Sequence, residues 1–390
     1  MSKLLISTSC RHTKENEPSG YLYVYDICEN RIIRKSNIIE HPYISSDPNP
    51  RGGFRGLKGI SIFDNHIALS NASSIFLYDN NWHPVTYFWN PICAGIHEIK
   101  LFKDHIWITS ARNDLLICLD FYGNILEYYD VRRLLRDIHL PNNHTKPFLT
   151  RNQILEEKYD FRNPQSHDSS FTDNLHVNGF AQLENSDLLI SCGLIRNVKN
   201  KILHNINNLV RKTFIFKKFP NLMLFYKKAF SHKNWGLHQK NKKTLELDNY
   251  SCLIRLTRDG KVYQSINFPF CSVPSHSIYI LHDKSAIYLN TTAGKLFHFN
   301  PYNNDIYSIS KIGNNFLRGA FQLSDDTLVL GDNNELIQFD LYSKKVVNRA
   351  VLSKIETEGI FDIKILPRNF HLPPLSFIEH HKQILPINQK

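Results

Sequence analysis

Three histidines stand at or just before places where a polar loop turns into a short strand-like run: His97, His176 and His276. Arg318, Lys58 and Asn178 occupy the same kind of position. Glu98 follows His97 directly, and Glu358 stands shortly before the run FDIKILP. Neutral imidazole moves protons near neutral pH and ligates metals. A guanidinium clamps carboxylate, phosphate or sulfate oxygens through paired hydrogen bonds. The set therefore suits histidine-dependent lyase, hydrolase or group-transfer chemistry on a small anionic or sugar-like substrate. In that reading His97, His176, His276 and Arg318 are catalytic. Lys58, Glu98, Asn178, Arg318 and Glu358 contact substrate, and the three histidines hold a divalent metal. Zinc or iron fits such imidazoles better than calcium, which wants oxygen ligands. No glycine-rich phosphate loop, GxSxG or HExxH occurs, so the common nucleotide and hydrolase mechanisms lack a motif. Taken singly, each residue also has a plainer use, as a channel filler bonded to backbone or water.

The residues converge only if the elements that carry them do. A pattern of a strand, a polar turn, a strand ending in small polar residues and a strand ending near Asp or Asn recurs along the chain. It reads GISIFDNHIALSN from Gly59 with SIFLYDN from Ser74, and HEIKLFKDHIWITSA from His97 with LLICLDF from Leu115. It returns as NGFAQLENSDLLISCG from Asn178, HSIYILHDKSAIYLNTT from His276 and GAFQLSDDTLVLGD from Gly319. A unit of about 40 residues with four short strands is the spacing of β-propeller blades. Five complete blades cover residues 55–90, 95–131, 176–270, 274–312 and 316–353. A sixth is split: Phe361–Pro367 gives an inner strand, and LLISTS, YLYVYD and IIRKSNII near the N-terminus give the other three. Joining the two ends leaves neither sheet with an open edge. The expected fold is all-β, a single six-bladed propeller over residues 1–390. The first residues of its inner strands ring one end of a central channel, the top face.

Two long insertions fall on that same face: residues 131–175, and residues 195–250 between the second and third strands of blade three. Within Ile195–Tyr250 thirteen Lys and Arg stand against two acids, a net +11 that equals the formal charge of the whole chain. This segment reads as a basic lid, with anionic membrane-surface contact or recognition of an anionic partner as its alternatives. No nucleic-acid motif accompanies it, so nucleic acid is the weakest partner. The chain is 42% hydrophobic and 21% charged, as ordinary globular proteins are. Its seven cysteines form no CxxC pair. Without a signal-peptide pattern or an 18-residue apolar run, the expected location is cytoplasmic, with peripheral membrane contact through the lid as an option.

The phrases GIHEI from Gly95, LHVNGFA from Leu175, VPSHS from Val273 and FLRGA from Phe316 belong together. With NWG at Asn234 and the closing GIFDIKILP, the chain resembles a family of bacterial six-bladed propellers of unknown function. The resemblance implies a polar signature at His97, Glu98, His176, Asn178, His276 and Arg318, and supplies no reaction. Residues 196–232 are extra relative to that family. The inventory is also similar to that of arylsulfate sulfotransferases, as an analogy of fold and site rather than of sequence. Besides an enzyme, a metabolite- or peptide-binding module and an interaction scaffold suit this fold.

Overall fold

The computed structural model describes residues 3–14, 17–37, 47–136, 159–167, 173–195, 250–269, 271, 273–313 and 316–377. Most of both expected insertions, residues 137–158 and 196–249, lies outside the described residues, so the basic lid is not among the elements below.

Strands β1 (Lys3–Cys10), β2 (Tyr21–Asp26) and β3 (Arg31–Asn37) open the chain. Four further sheets follow in sequence order. They comprise β4 (Ile60–Phe63), β5 (His66–Ser70), β6 (Ser74–Asp79) and β7 (Pro84–Trp89), then β8 (Ile96–Leu101), β9 (His105–Ser110), β10 (Leu115–Asp120) and β11 (Ile125–Asp130). After helix α1 (Val131–Arg136) come β12 (Val177–Gln182), β13 (Leu188–Ile195), β14 (Tyr250–Leu256) and β15 (Val262–Pro269), then β16 (His276–Ile280), β17 (Ala286–Asn290), β18 (Lys295–Phe299) and β19 (Ile306–Lys311). A fifth is β20 (Leu317–Gln322), β21 (Thr327–Asp332), β22 (Glu335–Asp340) and β23 (Lys345–Val351). The last strand, β24 (Glu358–Leu366), pairs antiparallel with β1 from Lys3 against Leu366 to Cys10 against Glu358. The sixth sheet therefore has the order β24-β1-β2-β3, and the six-bladed ring is closed by the two ends of the chain.

The sequence builds these blades by alternation and by turn chemistry. In most blades the turn from the third to the fourth strand opens on an Asx side chain that caps it. Asp26 accepts from the Cys28 and Glu29 amides, Asp79 from Asn81 and His83, and Asp120 from Tyr122 and Asn124. Such side chains copy a backbone turn and stop the strand there. Apolar residues of the inner strands pack between blades rather than into one central core. The buried apolar residues form six clusters, each shared by two neighbouring blades. Among these, Leu5 packs with Ile60 across one side of the closing blade, and Leu4 with Val329 across the other. The axis of the ring is thus left to polar groups.

Candidate functional site at the channel mouth

Inner strands alternate sides with a period of two, so a regular strand start would offer the axis one side chain in two. Five of the six inner strands break that rule near their first residues. The register slips between Ile96 and Ile99, between Val177 and Gly179, between His276 and Ile278, and between Arg318 and Ala320. On β24 it slips opposite Ser7 and Thr8, leaving Phe361 as the extra residue. A bulge of this kind re-aims side chains and bends the strand. Here the bulged starts carry His97, Asn178, His276, Arg318 and Phe361. Gly319 takes a φ of 75° at its bulge, and its N–H donates to the Ser277 hydroxyl of the neighbouring blade at 2.9 Å.

The three expected histidines come together. The His97 and His176 ring centres are 4.9 Å apart and nearly perpendicular. Those of His97 and His276 are 5.7 Å apart and nearly parallel, and those of His176 and His276 are 6.2 Å apart. One nitrogen of each lies within 4.8 Å of the others. Arg318 joins them: its Nη2 donates to His97 Nδ1 at 2.8 Å, and its guanidinium lies 3.1 Å from the centre of the Phe361 ring. Lys58 approaches the same ring at 5.4 Å.

Hydrogen bonds assign different proton positions to the three rings. Asp173 Oδ1 lies 2.6 Å from His176 Nδ1, and a carboxylate can only accept there. His176 Nδ1 therefore carries hydrogen, and in the neutral ring Nε2 keeps its lone pair. The Thr291 hydroxyl donates to the Leu317 carbonyl at 2.9 Å, so it accepts from His276 Nδ1 at 3.1 Å, and the Nε2 of that ring is free as well. His97 is the reverse. An arginine has no lone pair to offer, so Nδ1 accepts from Arg318 and the proton of the neutral ring sits on Nε2.

The turn that carries His176 is fixed from behind. Asp114, fully buried, accepts from the amides of Asn174, Leu175 and His176 at 3.0–3.1 Å and from Arg132 Nε at 2.6 Å. His176 itself has a φ of 52°, a left-handed conformation unusual for a residue with a side chain, and the Asp114 cradle holds it.

Above the histidines lies a cavity of about 850 Å³ whose walls include Lys58, His97 and His176. Arg11, Arg51, Arg55 and Arg112 also line it, against one acid, Asp173, among the described residues. Arg55 pairs with Asp47, whereas Arg11, Arg112, Lys58 and Arg318 have no carboxylate partner within ion-pair distance among the described residues. Burial pushes the Lys58 ammonium down to about 7, and Arg318, Arg55, Arg112 and Arg51 add to the shift. Burial likewise holds His97 and His276 well below the ordinary imidazole value. The Lys58 and Arg318 charges reinforce this at His97, and the Arg318 and Arg11 charges at His276. Both rings are neutral at pH 7.

Three expected substrate contacts stand elsewhere. Asn178 is 2% exposed, and its amide is spent between the Ser275 carbonyl at 2.7 Å and the Ser191 hydroxyl at 3.0 Å, which ties blade three to blade four. Glu358 is wholly buried inside the closing blade and accepts from Thr8 at 2.5 Å, Ser353 at 2.5 Å and Tyr23 at 3.2 Å. Glu98 shares the His97 bulge but meets Lys364 of β24, 3.9 Å away, rather than the histidines. Conversely, Asp173, Thr291, Arg11 and Arg112 were not singled out from the sequence. Arg11 and Arg112 follow β1 and β9, the second strands of their blades, where topology places a turn on the top face. Asp173 stands three residues before His176. Those were the available signals.

No family model matches the chain, and no curated protein matches it in sequence. Among solved structures it is similar to a protein of unknown function from Bacteroides caccae, at 9% identity and a TM-score of 0.50, over 93% of this chain and 98% of that one. It is also similar to virginiamycin B lyase from Staphylococcus aureus, at 13% identity and a TM-score of 0.42, over 77% and 71% of the two chains. A nidogen/laminin complex gives 9% identity and a TM-score of 0.48, over 94% and 99%. At these identities only the propeller fold is shared, and the two lower scores carry nothing further. No helix among the described residues is long and apolar enough to cross a membrane.

Proposed function

We propose that the chain is an enzyme that moves a proton on or off a small anionic substrate held at the top of the channel. The observation that carries this reading is the pair of opposed partners on neighbouring rings, a carboxylate on one Nδ1 and a guanidinium on the other, which in neutral rings sets opposed proton placements. His176, held by Asp173, presents a bare Nε2, while His97, held by Arg318, presents an Nε2–H, and the two rings are 4.9 Å apart. In this reading the Asp173–His176 pair is the general base, acting on a substrate carbon or on a water. The carboxylate fixes the tautomer and stabilises the imidazolium that forms. His97 and Arg318 stabilise the negative charge that develops, as donors whose geometry is set beforehand. Lys58 neutralises the substrate anion. The arrangement serves a lyase or a hydrolase equally, and the substrate decides between them.

The test is turnover across a panel of phosphate, sulfate and carboxylate compounds. His176→Gln is expected to lower kcat by about 10²–10⁴-fold, the range for losing a general base. His97→Gln should slow it comparably, and the thermal midpoint should move little in either variant. Unchanged turnover in both variants removes the reading.

A second reading, a bound zinc or iron ion, is favoured by the closeness of the three ring nitrogens. His176 and His276 suit it, each with Nε2 free and Nδ1 hydrogen-bonded behind it, the usual support for a ligating imidazole. His97 suits it poorly, because its lone pair is already taken by Arg318. Metal content of the purified protein separates the two readings, with one equivalent expected only for the second.

A further inference from the structure

The cations around the cavity exceed what a single carboxylate would need. Lys58 lines its floor beside His97 and His176, while Arg318 lies behind His97, bonded to it and stacked over Phe361. Arg112 stands on one wall, its stem packed over Gly95, where an added Cβ would lie 3.4 Å from Arg112 Cγ. Arg11 stands on another, its guanidinium 4.4 Å from the centre of the Phe316 ring, which in turn packs on His276. Lys58, Arg11, Arg51 and Arg112 line it with no ion-pair partner among the described residues, and no carboxylate but Asp173, already bonded to His176, lines the space between them. Four uncompensated cations around one concave volume are costly to assemble unless a ligand supplies the opposite charge. A volume of about 850 Å³ lies within the ordinary range of roughly 300–1,000 Å³ for small-molecule sites, and is far more than one phosphate fills.

We propose that the channel mouth binds a compact polyanion bearing two phosphate-like groups, one seated at the floor by Lys58 and the other between Arg112 and Arg11 at the walls, with Arg51 adding its charge to the same cavity. Two dianionic groups balance the four cations, and guanidinium forks match tetrahedral oxyanions bidentately. The floor group is the one nearest His97 and His176, so it lies at the reacting end. The wall group is an anchor, whose binding energy orients the substrate and holds it in place. The two sets of cations are electrically continuous, since Arg112 and Arg51 depress Lys58, and Arg11 depresses His276. An anchor of this kind rejects substrates with only one charged group by leaving two buried-side cations unmatched.

This deepens the proposed function by naming its substrate class and rests on that reading for the reacting end. The binding claim can nevertheless be tested without turnover. Inorganic pyrophosphate and orthophosphate are titrated calorimetrically into the full chain in the presence of EDTA at fixed ionic strength. Pyrophosphate is expected to bind at least tenfold more tightly. Arg112→Gln and Arg11→Gln should each weaken pyrophosphate about tenfold while changing orthophosphate by less than about twofold. Lys345→Gln, which removes the same charge from the exposed outer strand β23, should leave both unchanged. Equal affinity for the two anions, no binding of either, or equal losses in the cavity and Lys345 variants overturns the inference. Tight pyrophosphate binding by a protein whose turnover survives His176→Gln would instead uphold the polyanion site and overturn the catalytic assignment.

Discussion

The mouth of the channel and the belt just below it are built from the same residue types with opposite bookkeeping. At the mouth, Lys58 and Arg318 face histidines and an aromatic ring, with no carboxylate at ion-pair distance among the described residues, although Glu98 and Asp362 act on Arg318 from farther off. One step further down the inner strands, Lys364 is bonded to Asp362 at 2.9 Å and lies 3.9 Å from Glu98. Asp362 also accepts from the Ile60 and Ile363 amides at 2.9 and 2.8 Å. The belt is satisfied internally and needs no ligand. Burial opposes the charge on Lys364, yet Asp362 and Glu98 outweigh it and hold the ammonium above its ordinary value. In Lys58 the same burial is reinforced by like charges, and the ammonium is depressed to about 7. The difference separates a lysine whose charge the fold supports from one whose charge the fold opposes.

Substituting each lysine sharpens that contrast. Lys364→Met leaves Glu98 and Asp362 without their ion-pair cation, with Arg318 and Lys100 acting on Glu98 only from farther off. Its expected cost is about 2–3 kcal/mol, toward the low side for breaking a buried pair because a quarter of the lysine side chain is exposed. Urea unfolding at pH 7 reads it directly, and a loss under 0.5 kcal/mol would equate the belt with the mouth. Lys58→Met should act in the other direction and raise the thermal midpoint by a few degrees. The effect depends on pH with a definite sign. With a folded pKa of about 7 and an unfolded value near 10.5, the unfolded chain holds the extra proton between those limits, so wild-type stability rises with pH through that window. Below about pH 7 both states are protonated and the full cost persists. The gain from Lys58→Met should therefore be largest at pH 7 and below and fade toward pH 10, and a gain that is flat across this range contradicts the assignment.

The ring, its six sheets and its closure were legible in the sequence because a propeller repeats one local pattern, and each repeat votes for the same strand positions. His97, His176, His276 and Arg318 were legible for the same reason, since a strand start fixes a place on the axis. Which way a side chain turns from that place is decided by bulges and by partners on other blades. Asn178 and Glu358 also stand near strand starts, yet Asn178 is captured by Ser275 and Ser191, and Glu358 by Thr8, Tyr23 and Ser353. All of those partners but Ser353, five residues before Glu358, are distant in sequence or lie on another strand, and no local spacing announces them. The proton placement on the histidines was hidden likewise: Arg318 lies 221 residues from His97 and on another blade.

That placement is the central claim, and it can be measured without a substrate. Nitrogen NMR of ¹⁵N-histidine-labelled protein at pH 7, with the rings assigned by His→Gln variants, distinguishes protonated from bare ring nitrogens. His97 should show hydrogen on Nε2 and a bare Nδ1, while His176 and His276 should show hydrogen on Nδ1 and a bare Nε2. Arg318→Met should release His97 to mixed tautomers. If all three rings instead present bare Nε2 atoms that shift together on addition of one equivalent of zinc, the channel mouth is a metal centre and the acid–base pairing of His97 with His176 is wrong.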